Sequence, residues 1–207
     1  PDVLSCNSYL IHFPDAMVMI DSGALPQQTL DLQKIMTDRM GEKVLPLAIF
    51  LTHCHFDHSH EVWAYLNNPA CPAWLASHEE GAKALAEADD QKTAAELYGV
   101  KLKSVQAQIP LLTEEDLRGR SPRRIPLADG FHVQIRTESV EAGGVVRQLL
   151  ELGGGQIEVV ACPGHSPDSI CYRMGEILFI GDLLLAHRPL VAGICGWDNR
   201  RLKQSID

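Results

Sequence analysis

A chain of 207 residues can bury a core of its own but is short for two independent domains. Its 18 basic and 27 acidic residues give a formal net charge of -9, a poor field for gripping phosphate backbones, so nucleic acid is not the expected partner. At 45% hydrophobic and 22% charged residues the composition excludes disordered, collagen-like and coiled-coil classes, and no apolar run is long enough to span a bilayer or to act as a secretory segment. The expected address is therefore cytoplasmic, with no membrane partner.

In chain order, residues 8–12 and 16–20 read as two short strands around a Pro14-Asp15 turn, closed by Asp21-Ser22-Gly23. A helix follows from Pro26 to Met40, with Leu32, Ile35, Met36 and Met40 at helical spacing and Gly41 placed to end it. Residues 47–52 form a continuous apolar run, the pattern of a strand buried on both faces. A histidine-rich loop, 53–60, leads into a short helix at 62–66 and a strand at 73–76. Ser77 and Glu80 have the spacing of a capping box for a helix through Ala88.

Residues 89–147 are less legible, with helical stretches expected at 97–105 and 114–118, a basic loop, and strands at 125–127 and 131–136. Beyond Gly153-Gly154-Gly155 come strands at 157–161, 169–173 and 177–180, with a ligand-rich loop at 162–168 and Gly181-Asp182 after the last. The end of the chain has a helical pattern. The six cysteines, Cys6, Cys54, Cys71, Cys162, Cys171 and Cys195, are scattered without a CxxC pair and are expected as reduced, mostly buried thiols.

The run Thr52-His53-Cys54-His55-Phe56-Asp57-His58 places three imidazoles and a carboxylate at the C-terminal end of a buried strand. Imidazole and carboxylate together suit Zn, Fe or Mn. Alternate residues of an extended segment point the same way, so His53 and His55 can share one ion while Asp57 and His58 reach a neighbouring one.

Asp21-Ser22-Gly23, the His53 to His58 run, Pro163-Gly164-His165-Ser166 and Gly181-Asp182 follow one another as in the metallo-β-lactamase superfamily. This resemblance covers about residues 3–90 and 150–206 and implies an α/β fold, the four-layer αβ/βα sandwich of that superfamily, with metals at the edge of two sheets. It implies one domain over 1–207 that is C-terminally incomplete, with 89–147 as an insertion or lid. His53, His55 and His165 would hold a first metal. Asp57, His58 and Asp182 would contribute to a second, with Asp182 bridging. The last His of the family pattern has no match; His187 comes too early, and a continuation past Asp207 would have to supply it.

Among branches, the pattern is most similar to the glyoxalase II and thioesterase-like members, although Ser59-His60-Glu61 replaces their Gly-containing step. Asp182 differs from the Cys of some β-lactamases, and His55 from the Glu of flavodiiron proteins. The implied cofactor is zinc, two ions in the complete protein, with Fe or Mn as alternatives. The implied activity is hydrolysis of an ester, thioester, lactone or related acyl bond of a small molecule by a metal-bound hydroxide, formed from a water whose pKa falls to about 7 on binding.

Asp57 would be catalytic, orienting the hydroxide, and Asp21 would accept a ring N–H of a ligand histidine. His60 at the mouth, and Arg118, Arg120, Arg123 and Arg124 as an anion clamp, are candidate substrate contacts. The competing readings are a mononuclear non-haem iron oxygenase similar to the persulfide dioxygenases, and a catalytically idle metal-binding domain.

Overall fold

A computed structural model describes residues 5–41, 43–119, 122–128, 130–140, 145–184 and 194–207. Arg120 and His187 lie outside the described residues. Strands β1 (Tyr9–Phe13) and β2 (Ala16–Ile20) pair antiparallel, and the chain then winds β2, β3 (Leu47–Phe50), β4 (Ala73–His78) and β5 (Ile109–Leu111) into one five-stranded sheet. Its last three pairings are parallel and need crossovers. These are α1 (Pro26–Met40), then α2 (Phe56–Ser59) with α3 (Val62–Leu66), then α4 (Glu79–Glu87).

The second sheet is an antiparallel meander of β6 (Arg123–Ala128), β7 (Phe131–Val140), β8 (Val145–Leu152), β9 (Gly155–Ala161), β10 (Ile170–Met174) and β11 (Ile177–Phe179). Strand alternation divides the apolar residues between two cores. Val18, Ile20, Ala48 and Phe50 of the first sheet meet Val133, Ile135, Leu150, Ile157, Val159 and Tyr172 of the second. Met17, Met19, Leu47 and Ile49 point the other way, onto Met36 of α1, Tyr65 of α3 and Leu85 of α4.

Helix α6 (Asn199–Ile206) lies beside β9–β11, so the layers run helix, sheet, sheet, helix, as the sandwich requires. No helix among the described residues is long and apolar enough to cross a membrane.

Two local expectations are corrected. Ser77 does not cap α4; His78 does, its Nδ1 accepting from Glu80 N at 3.1 Å. The helix expected at 97–105 is only a 3-10 turn, Ala95–Tyr98, because Gly99 enters the left-handed region and the chain then extends. Residues 89–147 include β5, the short helix α5 (Glu114–Leu117), β6 and β7, with Val133 and Ile135 in the central core.

Candidate metal centre

Strand β3 is buried on both faces and hydrogen-bonded on both sides, so the residues that follow it are delivered into the interior. Ligand sites of parallel sheets lie at such carboxyl ends. Thr52 O accepts from Ile170 N at 2.8 Å, tying this end to β10 of the second sheet. His53, His55 and, six positions after Thr52, His58 are all buried, as is His165 from the β9–β10 loop. Asp182 follows β11 and Asp57 lies in the first turn of α2; both keep 24% of their side chains exposed at the rim.

The rings of His53, His55 and His165 form a triangle with centroids 4.5, 4.7 and 4.8 Å apart. His55 Nδ1 and His165 Nε2 face each other at 2.9 Å, and His53, whose Nδ1 meets Thr52 Oγ1, keeps its buried Nε2 without a hydrogen-bond partner. Three imidazole nitrogens gathered in the interior, two of them in direct contact and the third unpartnered, make a donor set suited to a shared cation. Each of the three histidines can offer a ligand atom within 4.8 Å of the others, and His53, His58 and Asp182 form a second group of the same kind. The residues fit a metal.

Asp21 organises the second group. Its Oδ1 accepts from Thr52 N at 2.8 Å and its Oδ2 from Thr52 Oγ1 and His58 Nδ1, both at 2.9 Å. The carboxylate thereby sets the His58 tautomer and frees Nε2 to face Asp182 Oδ1 at 3.4 Å and Asp57 Oδ2 at 3.7 Å. The other Asp182 oxygen lies 3.5 Å from His165 Nε2, so one carboxylate addresses both histidine groups.

The electrostatics follow from this crowding. Burial, then the neighbouring histidines, hold the His53 pKa well below the usual imidazole range and push His55 down to about 3. Burial also opposes a charged His58, yet Asp21, Asp182 and Cys6 outweigh it and raise its pKa. Burial raises Asp57. Asp182 is lowered, because the His58 hydrogen bond and charge overcome its burial.

The structure thus brings together His53, His55, Asp57, His58, His165, Asp182 and Asp21. His60 turns aside, its ring 4.5 Å from that of Phe56 and its Nε2 3.8 Å from Glu61 Oε1. Among the described residues, the arginines do not assemble. Arg123 is bound to buried Asp116 at 2.6 and 2.7 Å and to Pro110 O at 2.8 Å, Arg118 pairs with Glu114 at 2.9 Å, and Arg124 contacts His132 at 3.2 Å. They belong to or flank β6, at the opposite edge of the second sheet from β11 and Asp182.

Sequence reasoning missed four residues that shape the site. Buried Thr52 joins Asp21 to His53 Nδ1 through a 3.2 Å contact. Asp168 accepts from Cys54 N at 2.8 Å and Ser166 Oγ at 2.7 Å, locking the His165 loop to the His53 loop. Cys6 adjoins His58 and Asp21, its sulfur within 4.8 Å of their nearest polar atoms. Tyr98 stacks on Phe56 at 5.1 Å and is raised by burial, then by the charges of Asp57 and Asp182. The signal available for Asp168 was its position three residues after His165 beside a buried strand; Cys6 and Tyr98 had none.

Comparison with known proteins agrees with this geometry. Acyl-coenzyme A thioesterase MBLAC2 of Bos taurus and of Homo sapiens are each 28% identical over 190 residues, covering 86% of this chain. The chain spans only 58% of the length of those relatives. "Probable metallo-hydrolase MJ0888" of Methanocaldococcus jannaschii is 26% identical over 194 residues, covering 94% of this chain and 72% of that protein.

Among solved structures, TTHA1623 in a di-iron-bound form matches 97% of this chain and 78% of its own with a TM-score of 0.58 at 26% identity. Metallo-beta-lactamase IND-7, at 16% identity and a TM-score of 0.56 over 96% of this chain and 69% of its own, shares the fold. The family model of the metallo-beta-lactamase superfamily matches residues 1–198. The histidine triangle, the Asp182 span and a family match over nearly the whole length leave one conclusion: this chain belongs to the metallo-beta-lactamase superfamily.

Proposed function

We propose that this protein is a metal-dependent hydrolase of an ester, thioester, lactone or related acyl bond in a small molecule. The observation that carries the reading is the buried triangle of His53, His55 and His165, with His55 Nδ1 and His165 Nε2 2.9 Å apart and the rim carboxylate Asp182 3.5 Å from His165 Nε2. His53, His55 and His165 would hold a first ion, and Asp57, His58 and Asp182 a second, with Asp182 shared. Zinc suits these nitrogen and oxygen donors, as does iron, which the di-iron-bound relative carries. When bound, such ions polarise a carbonyl and lower the pKa of a coordinated water.

The chain's own residues do the rest. Asp57 Oδ2 orients the attacking water from the solvent-facing side and accepts its proton. Asp21 holds a proton on His58 Nδ1, keeping Nε2 as a donor to metal. Phe56, buried and stacked on Tyr98, anchors the start of α2 and so fixes the backbone that carries Asp57 and His58. The thioesterase relatives support an acyl-coenzyme A among the substrates to try first.

The test is metal content of protein purified without added metal, followed by thiol release from an acyl-coenzyme A panel and hydrolysis of phenyl esters. Turnover that a chelator abolishes and zinc or iron restores is the expected result. Full turnover after stripping would overturn the reading, as would oxygen uptake without hydrolysis by the iron-loaded protein.

A further inference from the structure

Away from the histidines, two free thiols face each other at the root of the loop that carries His165. Cys162 follows β9 and Cys171 is the second residue of β10; both are buried, and their Sγ atoms are 3.0 Å apart. The backbone around them is rigidly paired, with Ile170 opposite Ala161 and Cys162 N donating to Ser169 O at 2.9 Å. Both side chains line a cavity of about 960 Å³ between α6, α4 and the second sheet, together with Val160, Pro163, Leu178 and Arg201. A small oxidant can therefore reach sulfurs that bulk protein cannot.

We propose that Cys162 and Cys171 are a reversible redox pair, oxidised by a small peroxide to a disulfide that ties together the two ends of the His165 loop. A disulfide needs an S–S separation of about 2.05 Å, so each sulfur moves only a fraction of an ångström from where it stands. The contact between the two sulfurs lowers the Cys171 pKa, while that same contact and burial raise Cys162. Cys171 is also the more exposed of the two, at 6% against 3%, and is the first nucleophile.

Its thiolate attacks one peroxide oxygen; the O–O bond breaks and hydroxide leaves to become water, giving a sulfenic acid on Cys171. Cys162, giving up its proton, then attacks the sulfenic sulfur and expels a second hydroxide, which that proton converts to water. Two thiols and one hydrogen peroxide become one disulfide and two waters, and a dithiol reductant reverses the change. The loop so closed contains His165 and Asp168, which hold the two halves of the candidate metal centre together.

The experiment exposes the intact chain to hydrogen peroxide, alkylates the remaining thiols and maps the peptides. A linked Cys162–Cys171 peptide, two hydrogens lighter than its reduced parts and lost on treatment with dithiothreitol, is expected, with slower amide exchange over 163–169 in the oxidised protein. Recovery of both cysteines as alkylated peptides while Cys6 or Cys195 is oxidised would overturn the pair, and unchanged exchange would overturn the tying of the loop. In Cys162→Ser the Cys171 sulfenic acid should persist and be trapped by dimedone; trapping only on Cys162, in Cys171→Ser, would overturn the assigned order. Because the mapping is done on the unaltered chain, the test of the pair does not depend on either variant folding.

Discussion

Asp21 occupies a left-handed backbone conformation, φ 55°, that a non-glycine residue adopts at a cost of about 1–2 kcal/mol. Its three hydrogen bonds offset that cost and hold Thr52 and His58 in place. Asp21→Ala leaves the Thr52 N–H and His58 Nδ1–H without their acceptor in the interior. Each such loss costs about 1–3 kcal/mol, and misorienting the histidine should weaken metal retention about 10- to 100-fold. A urea midpoint and a chelator competition that both match the parent chain would refute this.

Asp57 differs, since it sits at the rim. Asp57→Ala should lower kcat by about a hundredfold or more while melting like the parent. Near-normal kcat with full metal would mean that another group directs the water.

The histidines also set a pH dependence for the metal-stripped chain. Folded His55 titrates near 3 against an ordinary 6.5, so between those values the unfolded state binds a proton that the native state refuses, and stability falls as pH drops through that window. The lowered His53 acts in the same direction. The raised His58 contributes stability that is fully present below about 6.5 and is lost as pH rises through its folded pKa. Urea midpoints that stay flat between pH 6.5 and 4 would contradict the burial of His53 and His55 as neutral rings.

At the scale of elements, the clearest case is Arg123, which the sequence suggests as an anion clamp and the fold uses as a brace. It enters β6 and satisfies Asp116, whose carboxyl it holds below the usual range despite burial. Arg123→Gln strands a buried carboxylate and should cost about 3–5 kcal/mol of stability. The expected readout is a lower thermal midpoint with unchanged KM for anionic acyl substrates; a raised KM in a normally stable protein would restore the clamp.

What can be read from the sequence follows the regularity of each element. The double-faced apolar run of β3 and the ligand spacing behind it are local patterns, and both are legible. Strand β8 is not, because its inward positions include Gln148, fully buried and bonded to Leu112 N and Thr137 Oγ1, while Leu149 takes an outward one. Polar-in and apolar-out blurs the period of two. Edge strand β5 has Pro110 at its centre, which reads as a turn. Asp168 escapes for a different reason: its partner Cys54 is 114 residues away.

The glycines near the site belong to the sequence motifs, but the need for them is tertiary. Gly164, at φ 145°, lies under α6, where a Cβ would fall on the Leu202 backbone; Gly181, at φ 51°, passes Thr52 with a Cβ's room missing. Helix α6 is thereby docked over the His165 loop, with Asp198 N donating to Gly164 O.

Across the whole molecule, the candidate ligands come from both sheets: His53, His55, Asp57 and His58 from the first, His165 and Asp182 from the second. Bound metal would stabilise the folded state by mass action, about 4 kcal/mol at a thousandfold excess over Kd, which for a chain of this size is on the order of 10 °C of melting temperature. Calorimetry with and without a chelator checks this; identical midpoints would mean that no ion bridges the sheets.

The two sheets also differ in how they can form. Every strand of the second pairs with its neighbour in sequence, so each hairpin closes over a short loop, whereas β2 to β5 must wait for helical crossovers to return. Refolding should therefore be staggered, with the meander gaining structure early and the parallel sheet later. The metal centre, needing both, would be the slowest part to mature. A stopped-flow experiment following backbone circular dichroism beside the absorbance of added cobalt would show the lag, and a cobalt signal rising in step with the first strands would mean that the centre nucleates the fold instead of completing it.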